Sequence, residues 1–339
     1  MKKLTTLITL LALLYVGGSC SDSPVSEMEK AATSAARTDG EAVPFGMLRS
    51  CATMDVLNTQ LAEDPDMKNR MSKIESFTNQ VISNQIGVTP TIPNGFTITI
   101  PVVVNVLWKT AQENISMAQI QSQIDVLNED FGNTNADLKN IPSGFKALIG
   151  KMNIRFALAG VVRKQTNKSY WGFNDAIKKT AKGGINPINP AKYLNIWIGN
   201  IDPYTLGYAQ FPGGDPATDG IVIGPNFFGR VGFLSPPFDK GRTATHEIGH
   251  WLNLYHIWGD DGNNCWGTDL VADTPNAAGP NFGCPGYPRI TCGNGPKGDL
   301  FMNYMDYTDD ACMFMFTTGQ MNRSRALFAP GGPRSSFIP

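Results

Sequence analysis

The sequence predicts an α/β (α+β) protein with a sheet-forming half, one histidine-bearing helix, and then an irregular half held by disulfides. Two patterns support this fold class. From residue 96 to about 252, apolar runs of strand length alternate with segments of helical periodicity. After residue 256, Gly, Pro, Asp, Asn and Cys are frequent and periodic runs are few. Hydrophobic residues make up 42% of the 339 residues, which is enough for a core and excludes a disordered chain.

The elements follow in order along the chain. Apolar or alternating runs predict strands at 96–108, 154–162, 193–199, 207–212 and 219–224. Residues 116–131 predict a helix, because Ser116 and Gln119 fit a capping box ahead of one apolar stripe. A second helix is predicted at 242–252. Loosely helical spacing between 46 and 90 predicts a small helical segment without a core of its own, and no internal repeat is present.

The N-terminus predicts export. Lys2 and Lys3 precede an apolar run, 4–16, that is too short to span a bilayer, and Cys20 follows small residues. This ending resembles a bacterial lipoprotein signal, with a signal peptide at 1–19 and lipid on Cys20. An ordinary signal peptide cut nearby is the alternative. Residues 20–90 are then expected to be a tether followed by the small helical segment, and 91–339 to form the main domain.

The six cysteines are expected to pair outside the cytosol. Four of them, Cys265, Cys284, Cys292 and Cys312, lie in the last quarter of the chain and allow three pairings. If Cys20 carries lipid, Cys51 is left over.

All three histidines of the chain lie between residues 246 and 256. His246, Glu247 and His250 form an H-E-x-x-H pattern, which on a helix points both imidazoles to one face. Two such imidazoles can bind zinc, and the adjacent Glu247 can act as general base toward a zinc-bound water. The pattern alone can arise by coincidence on a surface helix.

His256 follows His250 by six residues, too far along a continuous helix to reach the same metal. The chain must therefore turn between them. Asn253 is suited to that turn, because Asn tolerates a left-handed conformation best after Gly. Three ligands would leave a position open for water, which a purely structural zinc site does not need.

HEIGHWLNLYH (246–256) resembles the metzincin signature H-E-x-x-H-x-x-G-x-x-H, with Asn253 in the Gly position, and NYMDY (303–307) resembles the metzincin methionine turn. The finer resemblance is to the pappalysin family of zinc endopeptidases. It covers residues 45 to about 325, including LRSCATMD, DTP (273–275), the late cysteines and MNYMDYTDDACMFMFTTGQ. It implies a metzincin fold with a twisted mixed sheet, an upper subdomain at about 91–253 and a lower one at about 254–330.

The resemblance also implies roles for individual residues. These are zinc ligands His246, His250 and His256; general base Glu247; oxyanion stabiliser Tyr307; an apolar floor at Met305; zinc ligation by Cys51 in the zymogen; disulfides Cys265–Cys292 and Cys284–Cys312; and calcium ligands Asp269, Asp273 and Thr274. A packed aromatic at Tyr307, an incidental thiol at Cys51 and a calcium-free polar loop are the alternatives. The resemblance makes residues 20–90 a tether and an inhibitory pro-segment. Activation is expected by a cut after residue 75 and before about 97, with Arg70 and Lys73 as earlier candidates.

The predicted function is a secreted or surface-anchored zinc endopeptidase, made as a zymogen whose own pro-segment inhibits it. The segment 207–212 is expected to be an edge strand that a peptide substrate extends. Asp309 and Asp310 are candidates for a pocket that accepts a basic residue after the scissile bond. The alternatives are a zinc-binding module with a vestigial site and a zinc hydrolase of a non-peptide substrate. A net charge of −1 argues against nucleic acid as a partner.

Overall fold

The computed structural model describes residues 49–83 and 95–338. The predicted signal peptide, Cys20, the tether up to residue 48 and the stretch 84–94 lie outside the described residues. Within the described ranges, no helix is both long enough and apolar enough to cross a membrane.

Helices and strands alternate through the described chain. In order they are α1 (Thr53–Glu63), α2 (Met67–Ile82), β1 (Ile98–Trp108), α3 (Met117–Gly132), β2 (Ile149–Gly150), β3 (Ile154–Gln165), β4 (Leu194–Ile198), β5 (Gly207–Ala209), β6 (Ile221–Ile223), α4 (Arg242–Trp251), β7 (Phe316–Thr317) and α5 (Thr318–Ala326). The predicted strands are all present. The strand predicted at 207–212 is shorter than expected, since β5 ends at Ala209. The segment predicted as loosely helical forms two separate helices.

A mostly parallel five-stranded sheet organises the first half, with strand order β3-β1-β4-β6-β5. Only β5 runs antiparallel, against β6, and it lies at the sheet edge. β1 lies inside the sheet between β3 and β4, and its residues are apolar on both faces, as expected for a strand of a parallel sheet. The sheet therefore presents its antiparallel edge strand beside the histidine-bearing helix α4, which packs against β5 and β6.

Helix α3 covers one face of the sheet with the predicted stripe, Ile120, Ile124, Leu127 and Phe131, all buried. Ser116 is its N-cap and accepts a hydrogen bond from the Gln119 backbone N–H. Only this half of the predicted capping box forms. The Gln119 side-chain amide instead donates to the carbonyls of Pro225, Phe228 and Phe233 in the loop at 225–233. Because these bonds use the amide, it does not reach back to the N-cap.

The opposite face of the sheet is covered partly by the pro-segment. Ala52 and Val56 pack in one buried cluster with Trp197, Tyr208 and Val222 from β4, β5 and β6. Burial of these apolar groups holds helix α1 against the edge of the sheet.

The C-terminal half contains long irregular stretches joined by two disulfides, Cys265–Cys292 and Cys284–Cys312. This is the pairing that the resemblance implied. The half is less irregular than predicted, because it also contains β7 and α5. Helix α5 begins with a complete capping box formed by Thr317 and Gln320, a signal that the sequence interpretation overlooked.

Candidate metal centre and catalytic site

The three histidines converge at the end of helix α4. His246 and His250 lie on α4, and the chain reverses at Asn253, whose φ of +68° is left-handed. The Nε2 atom of His250 lies 3.1 Å from the Nε2 atoms of both His246 and His256. The turn therefore brings the third imidazole back to the first two, as the spacing predicted.

Each imidazole is oriented by a partner on its other nitrogen. Nδ1 of His246 donates to the Tyr304 carbonyl and Nδ1 of His250 to the Leu254 carbonyl, both at 2.7 Å. Nδ1 of His256 donates to Asp260, also at 2.7 Å. These bonds place the proton on Nδ1 and leave the Nε2 lone pairs facing one another. Burial also lowers the pKa of His246 and His250 well below its usual range, which favours the neutral form that binds metal.

The donor set fits zinc. Two nitrogens about 2.0–2.1 Å from one tetrahedral ion stand roughly 3.3 Å apart, close to the spacing of these rings. The Cys51 thiol completes a group of four potential ligands whose donor atoms all lie within 4.8 Å of one another. Within residues 49–83 and 95–338, these four side chains form the one cluster of three or more His, Cys, Asp or Glu residues that could hold a metal.

Glu247 lies beside this group and is buried. Burial raises the pKa of its carboxyl to about 7, with hydrogen bonds from Thr53 and Cys51 opposing the rise. The edge strand approaches Glu247 closely at Gly207, where an added Cβ would lie 2.9 Å from the Val222 carbonyl oxygen and 3.0 Å from Glu247 Cγ. Only glycine permits this distance between β5 and the carboxylate.

The methionine turn lies beneath the histidines. Met305 is fully buried, and a Cβ on Gly249 would come within 2.3 Å of its Sδ atom. Gly249 on α4 therefore permits the close packing between helix and turn. The preceding residue, Tyr304, supplies the carbonyl that orients His246, so the turn also positions a metal ligand.

Tyr307 faces the same centre. Its ring centroid lies 5.0 Å from the His256 ring and 5.7 Å from the His246 ring. Its hydroxyl donates to the Cys51 carbonyl oxygen at 3.3 Å. Burial raises the pKa of this phenol well above its usual value, so it remains a hydrogen-bond donor.

The pro-segment crosses this site along the edge strand. Cys51 bridges to Gly207 in parallel orientation, with Ala52 N–H donating to the Gly207 carbonyl and Leu206 N–H to the Ser50 carbonyl. Thr53, which is buried, donates its hydroxyl to Glu247 at 2.8 Å and accepts from the Ala209 N–H at 2.8 Å. Sequence reasoning missed Thr53, although it stands two residues after Cys51 in the segment that carried the resemblance.

Arg49 is the second functional residue that sequence reasoning missed. Its guanidinium is buried, forms an ion pair with Asp310 and donates to the Thr308 carbonyl at 3.1 Å. Asp310 also accepts from the backbone N–H groups of Lys240 and Arg242. Asp310 is therefore fully buried among three donors, whereas Asp309 beside it is only half-buried. The sequence signal for this residue was its position two residues before Cys51, within the segment LRSCATMD that carried the resemblance.

The predicted calcium residues lie away from this centre and divide between two groups. Thr274 donates its hydroxyl to Asp269, and burial raises the pKa of the Asp269 carboxyl to about 7. Asp273 instead accepts from the Thr317 hydroxyl and the Gly319 N–H at the start of α5.

Comparisons with known proteins agree with this geometry. Residues 184–329 match the peptidase M43 family described as pregnancy-associated plasma protein-A. Mature mirolysin of Tannerella forsythia, solved with a cleaved peptide, is 50% identical with a TM-score of 0.71, covering 72% of this chain and 96% of that one.

Two further relatives extend the likeness. A Tannerella forsythia promirolysin mutant is 45% identical with a TM-score of 0.77, covering 85% of this chain and 97% of that one. An extracellular metalloprotease of Arthroderma otae is 34% identical over 237 residues, or 67% of this chain and 76% of that protein. Membership in a peptidase family favours peptide hydrolysis over a vestigial binding module or a non-peptide hydrolase. The chain belongs to the pappalysin-type M43 family of metzincin zinc metalloproteases and is a metalloendopeptidase with a zymogen architecture.

Proposed function

We propose that this protein is an exported zymogen with a cysteine switch, and that the mature enzyme cleaves peptide bonds before a basic residue. One observation carries the proposal: three pro-segment residues occupy three different parts of the catalytic machinery at once. Cys51 lies in the metal-ligand group, Thr53 contacts Glu247, and Arg49 contacts Asp310.

Catalysis is assigned to residues already in position. Zinc at the three histidines supplies Lewis-acid chemistry, polarising a carbonyl and making water acidic near neutral pH. Glu247 takes the proton from the attacking water and passes it to the leaving amine, consistent with a pKa of about 7. The Tyr307 hydroxyl donates to the oxygen on which negative charge develops, as it now donates to the Cys51 carbonyl.

Latency follows from the same contacts. Cys51, as a thiolate, would be a strong ligand for zinc at the position that a water would otherwise take. The Thr53 hydroxyl donates its hydrogen bond to the carboxylate of Glu247, the proposed base. The pro-segment also runs parallel to β5. A substrate that extends the sheet by antiparallel pairing would run the opposite way, so the pro-segment can fill the cleft without presenting a peptide bond in the productive direction.

Selectivity for a basic residue is supported by Arg49. A buried guanidinium needs an anionic partner, and Asp310 provides it. Because the pro-segment is reversed, residues before Cys51 lie on the side that receives substrate residues after the scissile bond. Arg49 therefore stands in for the side chain that directly follows the cleaved bond.

Export is supported by the relatives named as extracellular metalloproteases. Lipid attachment to Cys20, the domain limits at 19, 90 and 253, and calcium binding near Asp269 stay predictions. A direct measure of calcium binding is the unfolding temperature with and without EGTA, under conditions where zinc is retained.

The deciding experiment follows hydrolysis of an unfolded protein by the zinc-loaded full chain after limited proteolysis with a serine protease that is then inactivated. Cutting should be sensitive to a zinc chelator, lost by several orders of magnitude in Glu247→Ala, and retained in the surface control Glu129→Ala. Mass spectrometry of the products should show Arg or Lys at the new N-termini. Equal activity in Glu247→Ala would refute the assignment of the base.

The switch has a separate test. Cys51→Ala in the full chain should give measurable hydrolysis before any removal of the pro-segment, because the ligand position is open. A fully latent Cys51→Ala chain that still binds zinc would show that latency does not depend on the thiol.

A further inference from the structure

A second anchor holds the pro-segment away from the metal. Glu75 on α2 receives two hydrogen bonds from Arg323 on α5, from Nη1 at 2.8 Å and from Nη2 at 2.5 Å. The Arg323 side chain is 1% exposed. Its Nε donates to the Asn253 carbonyl at 2.7 Å. This bond orients the guanidinium so that its two Nη groups, here called the fork, face Glu75 of the pro-segment.

Two aromatic rings connect this arginine with the zinc site. Arg323 lies over the Tyr255 ring at 5.7 Å, Tyr255 stacks on Phe211 at 4.7 Å, and Phe211 lies 5.4 Å from the His250 ring. Phe211 directly continues the chain from the edge strand β5. We call Phe211, Tyr255 and Arg323 the aromatic–arginine ledge.

The pro-segment covers this ledge. Leu57 and Met67 are buried against Phe211, and Met71 and Tyr255 pack against the same cluster. These residues follow Cys51 in the chain. Since the pro-segment is reversed relative to a substrate, the ledge lies on the side that receives substrate residues before the scissile bond.

Removal of the pro-segment changes the state of the ledge. Two aromatic faces lose their apolar cover, and Arg323 loses the carboxylate that its fork holds. Because its Nε remains bound to the Asn253 carbonyl, the fork stays oriented toward the vacated cleft. An arginine fixed in this way is suited to bidentate binding of another carboxylate.

We propose that the ledge is a substrate subsite in the mature enzyme, at which Arg323 binds an acidic side chain several residues before the scissile bond. Glu75 is the zymogen's own occupant of that subsite. The ring distances place Arg323 within reach of about four to five extended residues from the metal. The inference depends on the antiparallel substrate direction proposed above.

The test measures kcat/KM for the full zinc-loaded chain after limited proteolysis. Paired peptides share one Arg after the scissile bond and differ by Glu or Gln at one position, scanned from two to six residues before that bond. We expect one position to favour Glu by about tenfold, and this preference to shrink as NaCl is raised from 50 to 500 mM, because an exposed ion pair is screened.

Variants assign the preference to Arg323. Arg323→Gln should bring the Glu/Gln ratio to about one, and Arg323→Lys should leave a reduced ratio, since lysine keeps the charge without the fork. Arg230→Gln, at a surface arginine paired with Glu129, should leave the ratio unchanged. The ratio is insensitive to a general loss of activity caused by the lost bond to Asn253.

The outcomes separate the two proposals. Cleavage of the peptides with no Glu preference at any position, or a preference that survives Arg323→Gln, overturns the ledge as a carboxylate subsite and leaves the endopeptidase intact. If a variant does not fold, the wild-type peptide scan and its salt dependence still decide. Absence of cleavage of every peptide would instead count against the proposed function.

Discussion

Single residues of the pro-segment contact the residues that are assigned to catalysis. The Cys51 carbonyl accepts from Tyr307, and the Thr53 hydroxyl donates to Glu247. Under the proposed function, these groups occupy the hydrogen-bonding partners that a substrate carbonyl and a water would use. The same contacts therefore indicate which hydrogen bonds each catalytic side chain can make once the pro-segment has left.

Tyr307→Phe should lower kcat by about 10²–10³-fold, the usual cost of removing one oxyanion donor. The ring would still pack between His256 and Trp258, so zinc content and unfolding temperature should be unchanged. Steady-state kinetics with a peptide substrate, beside metal analysis, measure both. A kcat equal to that of the wild type would mean that Tyr307 only packs.

Asp310→Asn should lower kcat/KM for peptides with Arg after the scissile bond by roughly 10–150-fold. This range corresponds to the free energy that a hydrogen bond to a charged group usually contributes. The Asn oxygen can still accept from Lys240 and Arg242, but its NH₂ group would face the guanidinium. The neighbouring half-buried Asp309 provides the control Asp309→Asn. Equal losses in both variants, or a similar loss for peptides with a neutral residue, would contradict a pocket built on Asp310.

Between elements, Asp130 connects α3 to the histidine-bearing helix α4. Its carboxylate accepts from Arg242 at 2.9 Å and from Thr245 at 2.6 Å on α4, and from the Tyr304 hydroxyl at 3.0 Å. Tyr304 also supplies the carbonyl that orients His246. Helix α3 therefore supports both the helix and the turn that form the metal site.

Asp130→Asn should lower the free energy of unfolding by about 1–3 kcal/mol, because the amide offers one acceptor to three donors. Burial raises the pKa of the Asp130 carboxyl to about 6, against the attraction of Arg242 and with repulsion from Asp137. The folded protein thus holds this proton more tightly than the unfolded chain, so this group's contribution to stability falls as pH rises from about 4 to about 6.

The variant lacks that titration, so the gap in stability between wild type and Asp130→Asn should narrow as pH rises. Urea unfolding of the full chain at pH 5, 6 and 7 measures it, and shared effects at the zinc site cancel in the difference. A gap that widens with pH would mean that the ion pair with Arg242 outweighs burial.

Across the whole molecule, the pro-segment is attached at two distant places, the active-site cleft and Arg323 on α5. The activation cut is expected between 75 and about 97, with Arg70 and Lys73 as earlier candidates, and no Lys or Arg occurs from residue 74 to 108. An enzyme that requires a basic residue after the scissile bond cannot cut itself within that span.

Purified zymogen incubated alone should therefore produce new N-termini between residues 20 and 90 only at a Lys or Arg, as read by N-terminal mass spectrometry; these residues are Lys30, Arg37, Arg49, Lys68, Arg70 and Lys73. Glu247→Ala should produce none of them. A cut between 75 and 97 should need a second protease of different selectivity. An N-terminus in that span from wild-type zymogen alone would contradict the proposed basic selectivity.

Local patterns in the sequence predicted the parts of this fold that local physics controls. Apolar runs located the strands, the four-residue spacing located both helical histidines, and Asn253 marked the reversal. The Ser116–Gln119 capping box was half wrong, because the loop at 225–233 uses the Gln119 side chain. Helix α5 was overlooked because its mean character is polar and its signal is only a cap.

The chemistry of the centre is local in the sequence, since histidine spacing, the adjacent carboxylate and the turn are all encoded within eleven residues. The surroundings of the centre arise from contacts between distant segments of the chain. Arg49 meets Asp310 across 261 residues, Glu75 meets Arg323 across 248, and Thr53 meets Glu247 across 194. Such pairs leave no periodic signal in a single chain, because their partners become neighbours only when packing of the sheet and helices closes the loops between them.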